Sequence, residues 1–183
     1  RPPCAPGVSS LRRASVDGMQ PLTESQIRHS FINCSKGEAQ RLNLPAGLSS
    51  WEWSAEIFLG WIDPKSPQRG YAVIETEDGP RGIVLAKTAR RGGGAAQMCQ
   101  FCMTLHPGSG VSLYSAARPS ARTGQHNTLG TYLCADLRCS DYTLGRRRPA
   151  GIRQMEETMT REDRRERTLE TARGFVARLQ HRA

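Results

Sequence analysis

Apolar positions are sparse near the start of the chain and fall behind two helix-opening signals. Thr23 followed by Gln26, with Leu22 and Ile27 at the flanking staple positions, predicts a helix over residues 24–33 that buries Ile27 and Phe31. Ser35 and Glu38 repeat the signal and predict a second, short helix through Arg41 and Leu42 that stops before Pro45. The spacing then changes to short apolar runs. Residues 71–74 and 82–86 read as strands joined by the turn Glu77-Asp78-Gly79-Pro80, and residues 111–114 and 129–133 read as a second pair. The two hairpins are expected to share a sheet. Farther on, Thr160 with Asp163 opens a helix over 160–181 in which Leu169, Ala172, Val176 and Leu179 recur at three- and four-residue steps, with Phe175 beside them. Glu162, Asp163 and Glu166 near its start and Arg173, Arg178 and Arg182 near its end match the helix dipole. Its apolar stripe is expected to dock on the sheet.

These elements describe an α+β chain, a small antiparallel sheet with flanking helices, within a single domain over residues 19–183. Residues 1–18 hold Pro2, Pro3 and Pro6 without apolar periodicity and read as a disordered leader, with Met19 the expected start of translation. That leader has no apolar core of the kind a signal peptide needs, and no apolar run in the chain is long enough to span a bilayer. Trp51, Trp53 and Trp61 fall within eleven residues. They could stack on bases, but apolar neighbours such as Ile57 and Leu59 favour core packing. Cys34 reads as a small buried apolar residue.

The remaining cysteines carry the chemistry. Cys99-Gln100-Phe101-Cys102 has the two-residue gap that lets a tight turn aim both sulfurs at one Zn²⁺, and Cys134 and Cys139 form a second pair 31 residues on. The interval fits a hairpin, and a helix over 135–144 would carry the second pair at its start, which favours thiolate. The layout is a treble-clef zinc finger over residues 95–148, with Cys99, Cys102, Cys134 and Cys139 around one structural zinc per chain. A disulfide or buried free thiols would give the same count, but nothing else points to an oxidising compartment. His106 and His126 are reserve ligands, and His106, ahead of Pro107-Gly108, reads first as a hydrogen-bonding loop residue.

No paired carboxylates, nucleophile elbow or histidine cluster accompanies the cysteines, and four thiolates leave zinc no open position, so an enzyme is not expected. Arg90-Arg91-Gly92-Gly93-Gly94 lacks the Lys-Ser/Thr of a phosphate loop and reads as a hinge. With 26 basic against 17 acidic residues the chain carries +9, which calls for an acidic partner, either nucleic acid or an acidic protein surface. Arg118 and Arg122 at the hairpin tip and Arg146, Arg147 and Arg148 past the finger helix are the candidate binding face. Phe101, between two metal ligands on a backbone fixed by zinc, is the candidate apolar anchor, with packing against Tyr132 or Leu133 its competing fate.

Several stretches together carry a family resemblance: Leu22-Thr23-Glu24, Asn33-Cys34-Ser35-Lys36-Gly37-Glu38-Ala39, Phe58-Leu59-Gly60-Trp61, Met98-Cys99-Gln100-Phe101-Cys102 with His106-Pro107-Gly108-Ser109-Gly110, and 130–139. The chain resembles the FusB-type elongation factor G-binding proteins, and is similar to short actinobacterial members built around that family's C-terminal treble-clef zinc-finger domain. The resemblance covers most of residues 19–183, and the cysteine pattern with its flanks is its specific part. It implies that the four cysteines ligate zinc. It also implies a cytoplasmic protein whose finger contacts elongation factor G on or near the ribosome, as the family does when it promotes the factor's release in the presence of fusidic acid. Neither a membrane nor a small-molecule substrate is implied. A zinc-finger protein binding ribosomal RNA through the same arginines is the alternative. Longer members place a separate helical domain before this one, and residues 19–98 do not leave room for it.

Overall fold

All three helix-opening signals form as capping boxes: Thr23 and Gln26 open α1 (Glu24–Ser30), Ser35 and Glu38 open α2 (Lys36–Arg41), and Thr160 and Asp163 open a long C-terminal helix. The structure, a computed structural model, describes residues 18–88, 95–119 and 127–181. The expected leader up to residue 17, the hinge at 90–94, and Arg122 and His126 at the hairpin tip lie outside the described residues.

Among the described residues seven strands follow α2. They are β1 (Leu59–Asp63), β2 (Ser66–Thr76), β3 (Gly79–Lys87), β4 (Gln97–Met98), β5 (Leu105–His106), β6 (Val111–Ala117) and β7 (Thr128–Cys134). Five of them make one antiparallel sheet in the order β1-β2-β3-β6-β7, so the two expected hairpins do share a sheet, joined where Ala86 and Lys87 pair with Ser115 and Tyr114. The remaining helices are α3 (Cys139–Thr143) and α4 (Arg161–Gln180).

Along β2 the side chains alternate between two cores, as the period of an extended chain requires. Tyr71 and Val73 join a cluster with Ile27, Leu42, Trp53, Leu59 and Trp61 beneath α1. Ala72 and Ile74 face the other way, with Ile57, Phe58, Ala172, Phe175, Val176 and Leu179. The stripe of α4 therefore packs on the sheet as its spacing predicts, with Leu169 half-buried at its margin. Trp53 and Trp61 are core residues, and the Trp61 indole N–H donates to the Asn43 carbonyl at 2.8 Å. No stacking platform is formed by them.

The first helix ends three residues sooner than its pattern predicts, for a reason that lies in β3. Pairing with β6 reaches only Ala86 and Lys87, and the preceding part of β3 would be an open edge. Phe31 leaves the helix to form a parallel bridge with Gly82, and the Ile32 amide donates to the Gly82 carbonyl at 2.9 Å. Gly82 makes this approach possible, since a Cβ there would lie 2.6 Å from Ser30 Oγ. The Asn33 amide side chain then exchanges two bonds with the Val84 backbone, at 2.8 and 2.9 Å, in place of a neighbouring strand. Arg118, read from sequence as part of a binding face, is instead used internally: its guanidinium donates to the carbonyls of Arg178, Leu179 and His181 and closes the C-terminus of α4.

Candidate metal centre

The first cysteine pair sits on a knuckle between β4 and β5, whose register pairs Gln97 with His106 and Met98 with Leu105. Within the turn the Cys99 amide donates to Thr104 O and the Met103 amide to Cys99 O, each at 3.0 Å, and Met103 takes a left-handed backbone with φ of 59°. Gln100 fastens the knuckle to β7. Its backbone N–H donates to Tyr132 O at 2.8 Å, and its side-chain oxygen accepts from Thr131 Oγ1 and the Tyr132 amide, both at 2.8 Å.

The second pair is arranged differently from its sequence reading. Cys134 ends β7, residues 135–138 form a turn with Leu137 left-handed at φ 56°, and only Cys139 begins α3. The four-residue gap therefore spans a second knuckle rather than a helix that starts at residue 135. Leu137 is buried and aimed at the main sheet, where Gly60 and Gly70 receive it: a Cβ at Gly60 would lie 2.4 Å from Leu137 O, and one at Gly70 would lie 2.5 Å from Leu137 Cδ1. β1 and β2 thus act as the seat of the metal centre.

The four sulfurs are all buried and lie within 4.8 Å of one another, with Cys99 and Cys139 at 3.7 Å and Cys102 and Cys134 at 3.4 Å. A tetrahedral zinc with Zn–S of about 2.3 Å sets its sulfurs about 3.8 Å apart, so the donor set fits one ion in chemistry and in size. A family model described as the FBP C-terminal treble-clef zinc-finger matches residues 26–179.

The chain belongs to that family.

Among solved structures the FBP chain is similar to the structure of the fusidic acid resistance protein FusC, with a TM-score of 0.51 and 19% identity over 67% of this chain. The likeness spans 53% of FusC, about half its length. Among curated proteins no sequence matches.

As a set of thiols the FBP centre shares protons. Burial opposes ionisation of Cys99, but hydrogen bonds from Cys102, Cys134 and Cys139 outweigh it and hold Cys99 well below the usual thiol range. Hydrogen bonding with Cys102 foremost, with Cys99 and burial adding to it, pushes Cys134 and Cys139 up. His106 is buried beside this set, its Nε2 3.3 Å from Cys134 Sγ and its ring edge-on to Tyr142 at 4.7 Å. With four thiolates already grouped, the imidazole is an outer partner of one sulfur, and such partners orient the ligand and tune its basicity.

Two parts of the expected binding face are corrected by these contacts. Phe101 is 1% exposed, and its ring packs edge-on against Phe58 and Phe175, each at 5.8 Å between centroids. It is the joint between finger, sheet and α4, not a surface anchor, because the knuckle turns it inward onto rings that are distant in sequence. The arginines past α3 are mostly engaged as well. Asp141, 8% exposed at its side chain, receives Arg138 at 2.8 Å and Arg146 at 2.7 Å, with Arg147 at 3.8 Å. Arg146 also reaches Glu56 at 3.5 Å and the Ala55 carbonyl, which ties α3 to the segment before β1. Arg147 pairs with Asp136 at 3.1 Å and is half exposed. Arg148 is exposed and makes no ion pair among the described residues.

The sequence reading gave no surface role to the apolar residues left outside. Met103, Tyr132 and Met155 are the large hydrophobic side chains exposed among the described residues, at 46%, 39% and 71%. Nothing in their local spacing marks them.

Asp141 supports a prediction about pH. Burial alone would raise its carboxyl, and the Arg138 and Arg146 guanidiniums outweigh that and hold it below its ordinary value. A depressed carboxyl contributes stability in full above the ordinary carboxylate range, and that contribution is lost as pH falls through the folded value. Asp141→Asn should therefore cost about 1–3 kcal/mol at pH 7. The gap between wild type and variant should close in acid. Denaturant unfolding of both chains, compared only over the pH range in which elemental analysis finds zinc still bound to each, reads this difference, and a gap that stays constant across that range would contradict it.

Proposed function

We propose that the chain is a non-catalytic zinc-finger protein of the cytoplasm that binds elongation factor G and modulates its release from the ribosome, and so tolerance to fusidic acid. The single observation that carries this reading is the family match across residues 26–179, which takes in both the sheet and the finger. FusC, to which the fold is similar, is a fusidic acid resistance protein by its own description. Three physical features agree. Four thiolates complete a tetrahedron and leave no position at which zinc would activate water. A charge of +9 favours encounter with an acidic partner. No helix among the described residues is long and apolar enough to cross a membrane.

The contact surface is the outer side of the finger. With Phe101 buried and Arg118 and Arg146 already bonded within the chain, the groups left to meet a partner are the exposed apolar side chains and the arginines that face solvent, Arg147 and Arg148 among them. Calorimetry with purified elongation factor G, nuclease-treated, tests the proposal. Saturable binding by the wild type and none by Cys102→Ser is the expected pair of results. Absence of binding by the zinc-loaded wild type, or binding abolished by nuclease, would reject it.

A further inference from the structure

Beside the first knuckle, between the end of α3 and the start of α4, lies a groove of about 620 Å³ whose composition is unusual for this chain. Met98, Met103 and Met155 line it, and Met159 contacts Arg167 at its edge, so four of the five methionines gather here. Two of the three exposed large hydrophobic side chains, Met103 and Met155, are among them. Its charged lining is four arginines, Arg147, Arg148, Arg164 and Arg167, against two glutamates, Glu156 and Glu157, a net positive balance.

Both exposed methionines stand on fixed backbone. Met103 holds its left-handed conformation within the knuckle, between the Cys99 carbonyl it bonds and the metal ligand Cys102. Met155 follows Gln154, whose side chain accepts from the Leu105 amide at 3.0 Å and donates to the Leu105 carbonyl at 2.9 Å, pinning the segment to the edge of β5. Thioether side chains adapt to irregular partners, and a fixed backbone beneath them lowers the ordering cost of binding.

The charges point to the sign of the occupant. Arg167 is paired with Glu157 at 3.2 Å and Arg147 with Asp136 at 3.1 Å, whereas Arg148 and Arg164 have no ion pair among the described residues. The Nε of Arg164 is buried without a hydrogen-bond partner. Arg161 and Arg164 moreover sit in the first turns of α4, where the helix dipole already carries positive charge and a cation is disfavoured. Their placement serves an external anion better than it serves the helix.

We propose that this groove docks an acidic protein segment, an apolar side chain entering between Met103 and Met155 while flanking carboxylates meet Arg148 and Arg164. A protein segment fits better than a nucleic-acid strand. Single strands are held by stacking on exposed ring faces, and the ring at this wall, Tyr142, is half-buried, with its hydroxyl on Asp136 at 3.0 Å and its ring perpendicular to that of His106 at 4.7 Å. The inference rests on the reading that elongation factor G is the partner, and it names the surface used.

The test titrates the full zinc-loaded chain, labelled with ¹³C at the methionine methyls, with purified elongation factor G and separately with a ribosomal RNA hairpin. The Met103 and Met155 methyls should shift or broaden with the factor, while Met19, buried in the core beneath α1, stays unchanged. In calorimetry Met155→Ser and Arg148→Glu should each weaken binding at least five-fold, with zinc content and melting temperature as in the wild type. Heat of binding with the groove methyls unperturbed would overturn the groove and leave the partner standing. No heat and no shift would remove both. Shifts of the groove methyls with the RNA and none with the factor would overturn the acidic-partner assignment.

Discussion

Chelation of zinc, or Cys102→Ser, should unfold the finger while leaving the β1–β3 half of the sheet closer to its native state. The parts the metal holds are too small to persist alone. β4 and β5 have two residues each, α3 has five, and an isolated helix of that length does not form in water. Apparent zinc affinities of structural sites amount to about 10–16 kcal/mol at neutral pH, as large as the whole stability of a typical domain. Cys99, Cys102, Cys134 and Cys139 also lie inside the larger core cluster, so four uncompensated thiols would sit among Phe101, Leu133 and Leu137. Elemental analysis should find about one zinc per chain. Hydrogen exchange after chelation should show residues 97–106 and 134–144 losing protection first. Because protons compete with zinc for the thiolates, the metal should also be released as pH falls. An unchanged exchange pattern and melting curve after complete chelation would refute a structural role for the metal.

The second large effect is Phe101→Ala. Truncation would empty the space between Phe58 and Phe175 and should cost about 3–5 kcal/mol, the range for aromatic-to-alanine changes in a core. For a chain of this size each kcal/mol moves the melting temperature by roughly 2–4 °C, so a drop on the order of 10 °C is expected. Zinc affinity should fall with it, because the ring lies between two of the ligands. Tyr132→Ala, at an exposed position on the neighbouring strand, is the contrasting control and should change stability by less than about 1 kcal/mol. A Phe101→Ala chain that melts with the wild type would show that the joint between finger and α4 lies elsewhere.

Much of this architecture is legible before any coordinates, and the reason is that its signals are local. A capping box needs only two residues three apart, and Thr23, Ser35 and Thr160 each form one. The cysteine spacing encodes a metal site because the turn that presents two sulfurs is itself short. What is not legible depends on partners distant in the chain. Phe101 looks equally suited to surface or core until Phe58 and Phe175 are brought to it. Arg146 reads as one of a solvated run, yet Asp141 and Glu56 draw it in. Arg118 becomes a helix cap only because α4 ends beside it. The early end of α1 follows from a gap in strand pairing that no feature of its own sequence announces. Met103 and Met155 escape notice for the opposite reason: an exposed methionine leaves no periodic trace.

The Asn33 contact has a consequence for where this domain can be divided. A fragment that starts after Cys34 would keep every zinc ligand, both hairpins and α4, and with them the whole finger. It would nonetheless uncover the backbone from Gly82 to Val84 on a strand that continues through the apolar Ile83, Val84, Leu85 and Ala86, and a second copy could pair there by strand addition. The residues that keep this edge from joining chains thus lie in three positions, Phe31 to Asn33, far along the sequence from any metal ligand.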